Sequence, residues 1–547
     1  MNTTPNTTSF EDTAVLDSAH VGDIRGALGT IALGDVAPRR RLSAKTKTLL
    51  AIVGPGLIVM VGDNDAGAFS TYTQAGQNYG THLLWTLLLL IPVLYVCQEM
   101  VLRLGAVSGV GHARLILERF GKFWGAFSVI DLFILNALTI VTEFIGVTLA
   151  VGYLGLPKIP SVILAGAVIV GAVSTGSFRR FERICLLLIA GSFVLIPIYL
   201  MVHPPIGQMA HNLIVPGFPH GAQVSTVMLL IIGIVGTTVA PWQLFFQQSY
   251  VIDKRITPRF INYERADLWI GIGIVVVGAA AMFGFSAAVF AGRPEFGNFT
   301  NAGGVAAELG RYVSRLAGDL FAIALLDASI IGASAVGLAT AYASSDVLGF
   351  NHSLHRPVKK AKGFYACYAG LMAVSAALVI IPGVPLGLLT EGVQTLAGVL
   401  LPSAVVFLLL LCNDKAVLGP WVNGKKLNLA TSGVIWMLVL LSVILTASVL
   451  FPNITGTQIE LVLGAGSVFG LLLGAFLLIQ ARRTSRHTVT VPVEWENWRS
   501  WRMPALTLLA KPVMSTQRKI GLMTLRGYLI VAFALVVVKI VQVAIHG

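Results

Sequence analysis

Two carboxylates and an amide stand together in the run Gly62-Asp63-Asn64-Asp65-Ala66-Gly67, inside a stretch that is otherwise apolar and opens on Gly54-Pro55-Gly56. Carboxylate and amide oxygens are the ligands that hard divalent cations take. An Asp at the centre of a spanning helix costs about 2.5 to 3.5 kcal/mol on insertion scales, so two of them call for a water-filled cavity, a bound cation, or both. The glycines let the backbone leave the helix, and the carbonyls freed there need a ligand or protein donors. A second interruption reads Gly233, then Gly236-Thr237-Thr238-Val239-Ala240-Pro241-Trp242-Gln243, followed by Gln247 and Gln248. Proline removes a backbone donor and bends a helix. Taken alone, this second break could equally serve packing. As corresponding members of two inverted halves, the pair of broken helices points to a transporter's binding site.

The elements that must position these residues are membrane spans. Of 547 residues, 56% are hydrophobic and 12% charged, and the mean hydropathy is +0.81; a soluble domain carries about 25% charged residues. Stretches long enough to cross a bilayer fall near 49–74, 82–102, 123–153, 159–177, 184–202, 222–250, 268–291, 313–349, 363–382, 387–412, 428–451, 458–480 and 527–545. Basic residues crowd before the first span and after every even-numbered one, for example Arg179, Arg180 and Arg183 after the fourth. Cytoplasmic loops collect Lys and Arg, so the N-terminus is expected in the cytoplasm of a multi-pass cell (inner) membrane protein. The same distribution accounts for the net charge of +13 without nucleic acid as a partner. The four cysteines show no paired spacing for zinc or disulfides. A linker with Trp495, Trp498, Arg499, Trp501 and Arg502 suits an interfacial anchor before the last span.

Other acids lie within spans. Asp327 sits deep in the eighth and is expected either in the ion path or in a structural role, whereas Asp131 and Glu391 lie near span ends where they can face water. His203, His211 and His220 share one outer loop and read as solvated. No His-Glu-x-x-His or similar constellation suggests an enzyme.

At the two breaks the sequence resembles the Nramp family of divalent metal transporters. Gly54-Pro55-Gly56, then Asp65-Ala66-Gly67-Ala68, then Asn78-Tyr79-Gly80 and Leu84-Trp85 follow that family's first helix, with its Asp kept at Asp65 and its Asn replaced by Ala68. Asn64 or Asp63 is left to supply the missing oxygen. In the sixth helix the family's Gly-Ala-Thr-Val-Met-Pro-His corresponds to Gly236 through Trp242, so its sulfur ligand is replaced by Ala240 and its histidines by Trp242 and Gln247. The third helix keeps the family's Glu at Glu143, its inner Asp aligns with Ile140, and the ninth span has no Arg. The residues that the resemblance assigns to a proton route are therefore largely absent. Gln394, eight residues before Pro402, matches the family's tenth helix.

The resemblance covers roughly 45–412 and implies an all-α polytopic membrane fold: a leucine-transporter-type five-plus-five inverted repeat with extra C-terminal helices. The expected organisation is a largely disordered cytoplasmic tail to residue 48 and a core over 49–412 with repeats 49–203 and 222–412. Two added helices over 428–480, a linker over 481–526 and a last helix over 527–547 follow. The implied substrate is a divalent cation, with Asp65, Asp63 or Asn64, Thr237 and Gln394 as ligands and Glu143, Asp327, Ala240, Trp242 and Gln247 along the path or gate. Loss of the thioether favours hard ions, Mg²⁺ or Mn²⁺ before Fe²⁺, as in the Nramp-related magnesium transporters. The metal is cargo, and no cofactor is expected. An amino-acid or organic-solute carrier of the same fold and a non-transporting metal sensor are the alternatives. The sequence carries no signal for oligomeric state.

Overall fold

A computed structural model describes residues 18–219, 221–383, 385–451 and 454–485, with 498, 501–509 and a few positions between 522 and 534 beyond them. After a two-stranded antiparallel hairpin, β1 (Ile24–Gly26) and β2 (Gly29–Ile31), the first span is built from three pieces: α1 (Leu42–Ile52), α2 (Pro55–Val61) and α3 (Ala66–Tyr79). Pro55 opens α2 at its first turn, where its missing N–H costs nothing, and α1 and α2 meet at 53°. The first half continues through α4 (Trp85–Ser108), α5 (His112–Phe120), α6 (Lys122–Tyr153), α7 (Lys158–Val173), α8 (Phe178–Gly191) and α9 (Leu195–Val202), the last two forming one span.

After α10 (Ile206–Ile214), the sixth span is likewise split, into α11 (Val224–Thr238) and α12 (Pro241–Asp253). Then come α13 (Ile261–Phe290), α14 (Ala302–Tyr312), α15 (Arg315–Leu348), α16 (Lys362–Ile380) and α17 (Leu386–Cys412). The short α18 (Lys415–Leu418) leads to α19 (Lys425–Leu450) and α20 (Gly456–Ser485). The first twelve expected spans thus all coincide with helices; the thirteenth, apart from a few positions up to 534, lies outside the described residues, as does His220.

The core is made by small residues that let helices approach. On α15, Gly332, Ala333, Ser334, Ala335 and Gly337 are buried along α6 and α16, the packing mode that substitutes for a hydrophobic drive in lipid. At the rim, α20 leaves Leu461, Val468, Leu471 and Phe476 exposed, as a lipid-facing helix does. The two broken spans pack on each other at the centre, α3 on α11 and α2 on α12.

The N-terminal segment departs from the expectation of a largely disordered tail to residue 48. From Ser18 onward it is built onto the face that carries the basic loops. Arg179 and Arg183 of α8 donate to the carbonyls of Gly26 and Ala27, and Arg255 and Arg259 to those of Ala19, Asp23, Asp35 and Ala37. Those arginines satisfy backbone groups, which no charge count reveals. Part of the linker is also docked: Trp421 Nε1 donates to the carbonyl of Trp498 at 2.8 Å, and Met503 N to that of Val107 at 3.2 Å.

Candidate metal site

The first break runs from Gly62 to Asp65. Asp65 caps α3, its Oδ1 accepting from Ala68 N at 2.9 Å. The residue that the resemblance singles out thereby also closes the helix N-terminus. Three glycines bring its neighbours close. A Cβ on Gly67 would collide with Gln394 Nε2, placing the Gln394 amide against the start of α3. A Cβ on Gly332 would stand 2.7 Å from Glu143 Oε2 and 2.8 Å from Asp65 Cβ, so α15 gives way where these two acids meet. Gly146 does the same between α6, Ala66 and Ser329. Glu143 Oε2 accepts from Ala66 N at 3.2 Å.

In the second break, Val239 and Ala240 leave the helix and Pro241 starts α12. Pro241 is the residue whose N–H would have bonded the Thr237 carbonyl. That oxygen therefore lacks its helical donor. A Cβ on Gly236 would strike the backbone of Gln394 and Gly398, so the end of α11 lies directly on α17. Thr238 is tied back, with Oγ1 donating to Ile234 O and 2.8 Å from the Tyr72 hydroxyl. Thr237 Oγ1 is buried and has no partner.

Asp65, Glu143 and Gln394 meet around the start of α3, and Gly236, the residue before Thr237, lies on the backbone of Gln394. The structure turns the other two residues of the polar run to different walls. Asp63 Oδ1 accepts from Gln243 Nε2 of α12, whose Oε1 accepts from Gln98 Nε2 of α4 at 2.8 Å. Asn64 Nδ2 donates to Val275 O of α13 at 3.2 Å, and Asn64 lines a cavity of about 710 Å³ with Ser192, Tyr199, Trp269 and Val277. The expectation that either residue replaces the lost Asn oxygen beside Asp65 gains no direct contact here.

Gln98 and Gln243 were not singled out as site residues. A Gln within an apolar span is the signal that could have found Gln98. Glu99 pairs with Arg103 and Arg265, while Gln98 turns inward, fully buried.

Of the expected path residues, Trp242 packs against Gly62 and begins an aromatic ladder. Phe246 follows at 6.2 Å, Tyr250 5.1 Å further, and then Phe178 at 4.7 Å. This ladder runs from the second break to Phe178, the first residue of α8, next to the basic Arg179 and Arg180. Gln247 is buried with neither amide atom bonded, on the same face of α12 as Gln243. Ala240 is the buried N-cap residue of α12. Asp327 is apart from the breaks, partly exposed and against Gly191 at the α8 end. Asp131 and Glu391 are likewise only half-buried, and His203 and His211 are exposed.

At and beside the breaks, the buried polar atoms without a hydrogen-bond partner are Asp63 Oδ2, Asn64 Oδ1, Glu143 Oε1, Thr237 Oγ1 and Gln394 Nε2. Such atoms cost free energy unless a ligand or water meets them. Among the described residues, no three His, Cys, Asp or Glu side chains form a metal-ligand cluster. A cation held here would rely on few carboxylates and on neutral oxygens, a donor set suited to an ion that keeps some of its water.

The fold and site define a polytopic membrane protein with two interrupted helices crossing at a buried carboxylate. A sequence profile described as natural resistance-associated macrophage protein-like matches residues 56–448, most of the chain, and the chain belongs to this Nramp family. It is 27% identical over 426 residues to the divalent metal cation transporter MntH of Chromohalobacter salexigens, covering 74% of this chain and 92% of that one. The MntH of Ralstonia nicotianae is 30% identical over 416 residues, covering 72% and 88%. In structure the chain is similar to the manganese transporter of Eremococcus coleocola, with a TM-score of 0.59 at 20% identity, over 86% of this chain and 98% of that one. The fold is the all-α, leucine-transporter type expected from the sequence.

Proposed function

We propose that this protein carries a partly hydrated divalent cation across the membrane by alternating access, with Mg²⁺ or Mn²⁺ as the preferred ion. The observation that carries this reading is the set of orphaned buried polar atoms around Asp65, where both broken helices meet. Asp65 supplies charge, with Glu143 beside it. The freed carbonyl and hydroxyl of Thr237 and the Gln394 amide oxygen fix geometry. Asp63 and Asn64 act through water or from the neighbouring walls. The relatives named as divalent metal cation transporters support the substrate class.

Replacement of the family thioether by Ala240 leaves an all-oxygen set, which suits hard ions and Fe²⁺ less well. With Trp242 and Gln247 in place of histidines, transport proceeds without obligatory proton movement. The basic face is then cytoplasmic, and the aromatic ladder from Trp242 closes the inner route. An anionic site of this kind would repel the carboxylate of an amino acid, which disfavours an organic-solute carrier.

The test is ion uptake into proteoliposomes, with internal pH recorded. Wild-type protein takes up Mg²⁺ and Mn²⁺ without acidification, and Asp65→Ala loses uptake by about tenfold or more. Unchanged flux in the variant overturns the site assignment.

A further inference from the structure

The N-terminal hairpin has no role in the ion site, yet it is fastened to α1 and α8 beside the inner end of the first broken helix. The turn residue Ala27 donates its N–H to Glu182 Oε2 of α8. The other oxygen of Glu182 accepts from Lys254 Nζ at 2.6 Å, in an ion pair with no exposure on either side. Lys254, at the end of α12, also donates to the carbonyls of Ile52 and Val53 at 2.6 and 2.8 Å. These are carbonyls released where α1 bends into α2. On the other flank Asp267 Oδ2 of α13 accepts from the N–H groups of Gly54, Gly56 and Leu57.

The hairpin lies across this joint. Gly26 and Gly29 are paired in register and touch Ala51 so closely that a Cβ on either would clash. Ile24 and Ile31, also paired, are buried. Arg179 and Arg183 hold the carbonyls of Gly26 and Ala27 within it, and Arg255 and Arg259 hold those of Ala19 and Ala37 on either side. An isolated two-stranded hairpin is at best marginally stable in water, so its order comes from this docking.

We propose that the β1–β2 hairpin is a latch on the inner gate: seated, it holds the α1–α2 joint against α8 and α12 and keeps the inner route shut, and the route opens when it lifts. The inference rests on the alternating-access reading. Opening toward the basic face requires α1 and α2 to part from α8 and α12; the hairpin binds α1 at Ala51 and α8 at Glu182, and reaches the end of α12 through the Glu182–Lys254 pair. Glu182 makes the coupling direct, because one carboxylate serves the hairpin with one oxygen and the gate lysine with the other. When the hairpin lifts, water replaces the Ala27 N–H on Glu182, and the solvent entering there screens the Glu182–Lys254 pair and weakens it. A static brace would strengthen the fold without changing the balance of open and shut states.

The experiment measures that balance directly in the full-length chain. Nitroxide labels at Lys47→Cys on α1 and Arg180→Cys on α8, both exposed in this state, are placed in a background with the four native cysteines changed to Ala. Their distance distribution is read by pulsed electron paramagnetic resonance in liposomes. The latched protein gives one dominant short distance. Gly26→Leu, which drives the hairpin off Ala51, raises the long-distance population about threefold or more. The double variant Arg179→Gln/Arg183→Gln, which leaves the joint itself intact, does the same and decides the matter if Gly26→Leu fails to fold. A distribution unaltered by the double variant overturns the latch, whatever happens to the melting temperature. The distances need no transported ion, so failure of the metal assay and failure of the latch are separate results.

Discussion

Ala240 stands where the family carries a thioether, and its position at the cap of α12 makes it the sharpest handle on ion choice. Sulfur prefers soft metals, whereas an all-oxygen site suits Mg²⁺ and Mn²⁺. Ala240→Met is expected to raise Cd²⁺ uptake relative to Mg²⁺ by about tenfold, measured as competitive inhibition of Mn²⁺ flux in proteoliposomes. An unchanged ratio would place residue 240 outside the coordination shell. At this scale the sequence was most readable for Asp65, because an acid in a lipid-buried stretch demands a partner. It was least readable for Asp63 and Asn64. Adjacent residues in a non-helical run point to different walls, and only the coordinates show Asp63 against Gln243 and Asn64 against Val275.

Helices α3, α11 and α17 converge through glycines that differ in what they touch. A Cβ on Gly67 would meet the amide end of Gln394, a side chain able to swing aside. One on Gly236 would meet the backbone of Gln394 and Gly398, which cannot yield without moving α17. Gly67→Ala should therefore fold with near-normal yield but lose ion affinity severalfold, seen as a raised half-saturation concentration for Mn²⁺. Gly236→Ala should lose folded yield, read by size-exclusion chromatography, at a cost of about 1 to 3 kcal/mol. The breaks themselves were visible beforehand, since Gly62 and Pro241 interrupt apolar runs. Which glycine serves the site and which serves packing was not, because contact across helices has no sequence period.

Over the whole molecule, the segment from residue 18, the end of α15, α16 and the loop after α15 are joined at His352. Its ring lies 5.5 Å from that of His20 and 5.8 Å from Tyr342, and its Nε2 is 3.2 Å from Asp346. Burial works against the charged imidazole, but the Asp346 carboxylate, with Asp253 behind it, outweighs that and holds the pKa up to about 9 from the usual 6.5. Because proton affinity is raised in the folded state, the stabilisation is complete below pH 6.5 and fades as pH rises through about 9. Melting in detergent should fall across that window, and His352→Gln should flatten the dependence. An equally steep fall in the variant would assign the pH dependence to other groups.

Composition and spacing alone determined that this chain lives in lipid, roughly where its spans lie, that the first and sixth are interrupted, and that Asp65 is the charge to explain. Each follows from a local cost: an unsolvated backbone group, a buried carboxylate, a missing N–H. Only the tertiary structure decided that Asp65 meets Glu143 and Gln394 while its two neighbours face away. Only it showed that a fully buried Lys254 is satisfied by Glu182 and two freed carbonyls, and that the segment from residue 18 is part of the folded molecule. Those outcomes depend on which distant groups share a wall. Helical and alternating patterns report which face of an element is apolar, and they carry no record of what that face meets.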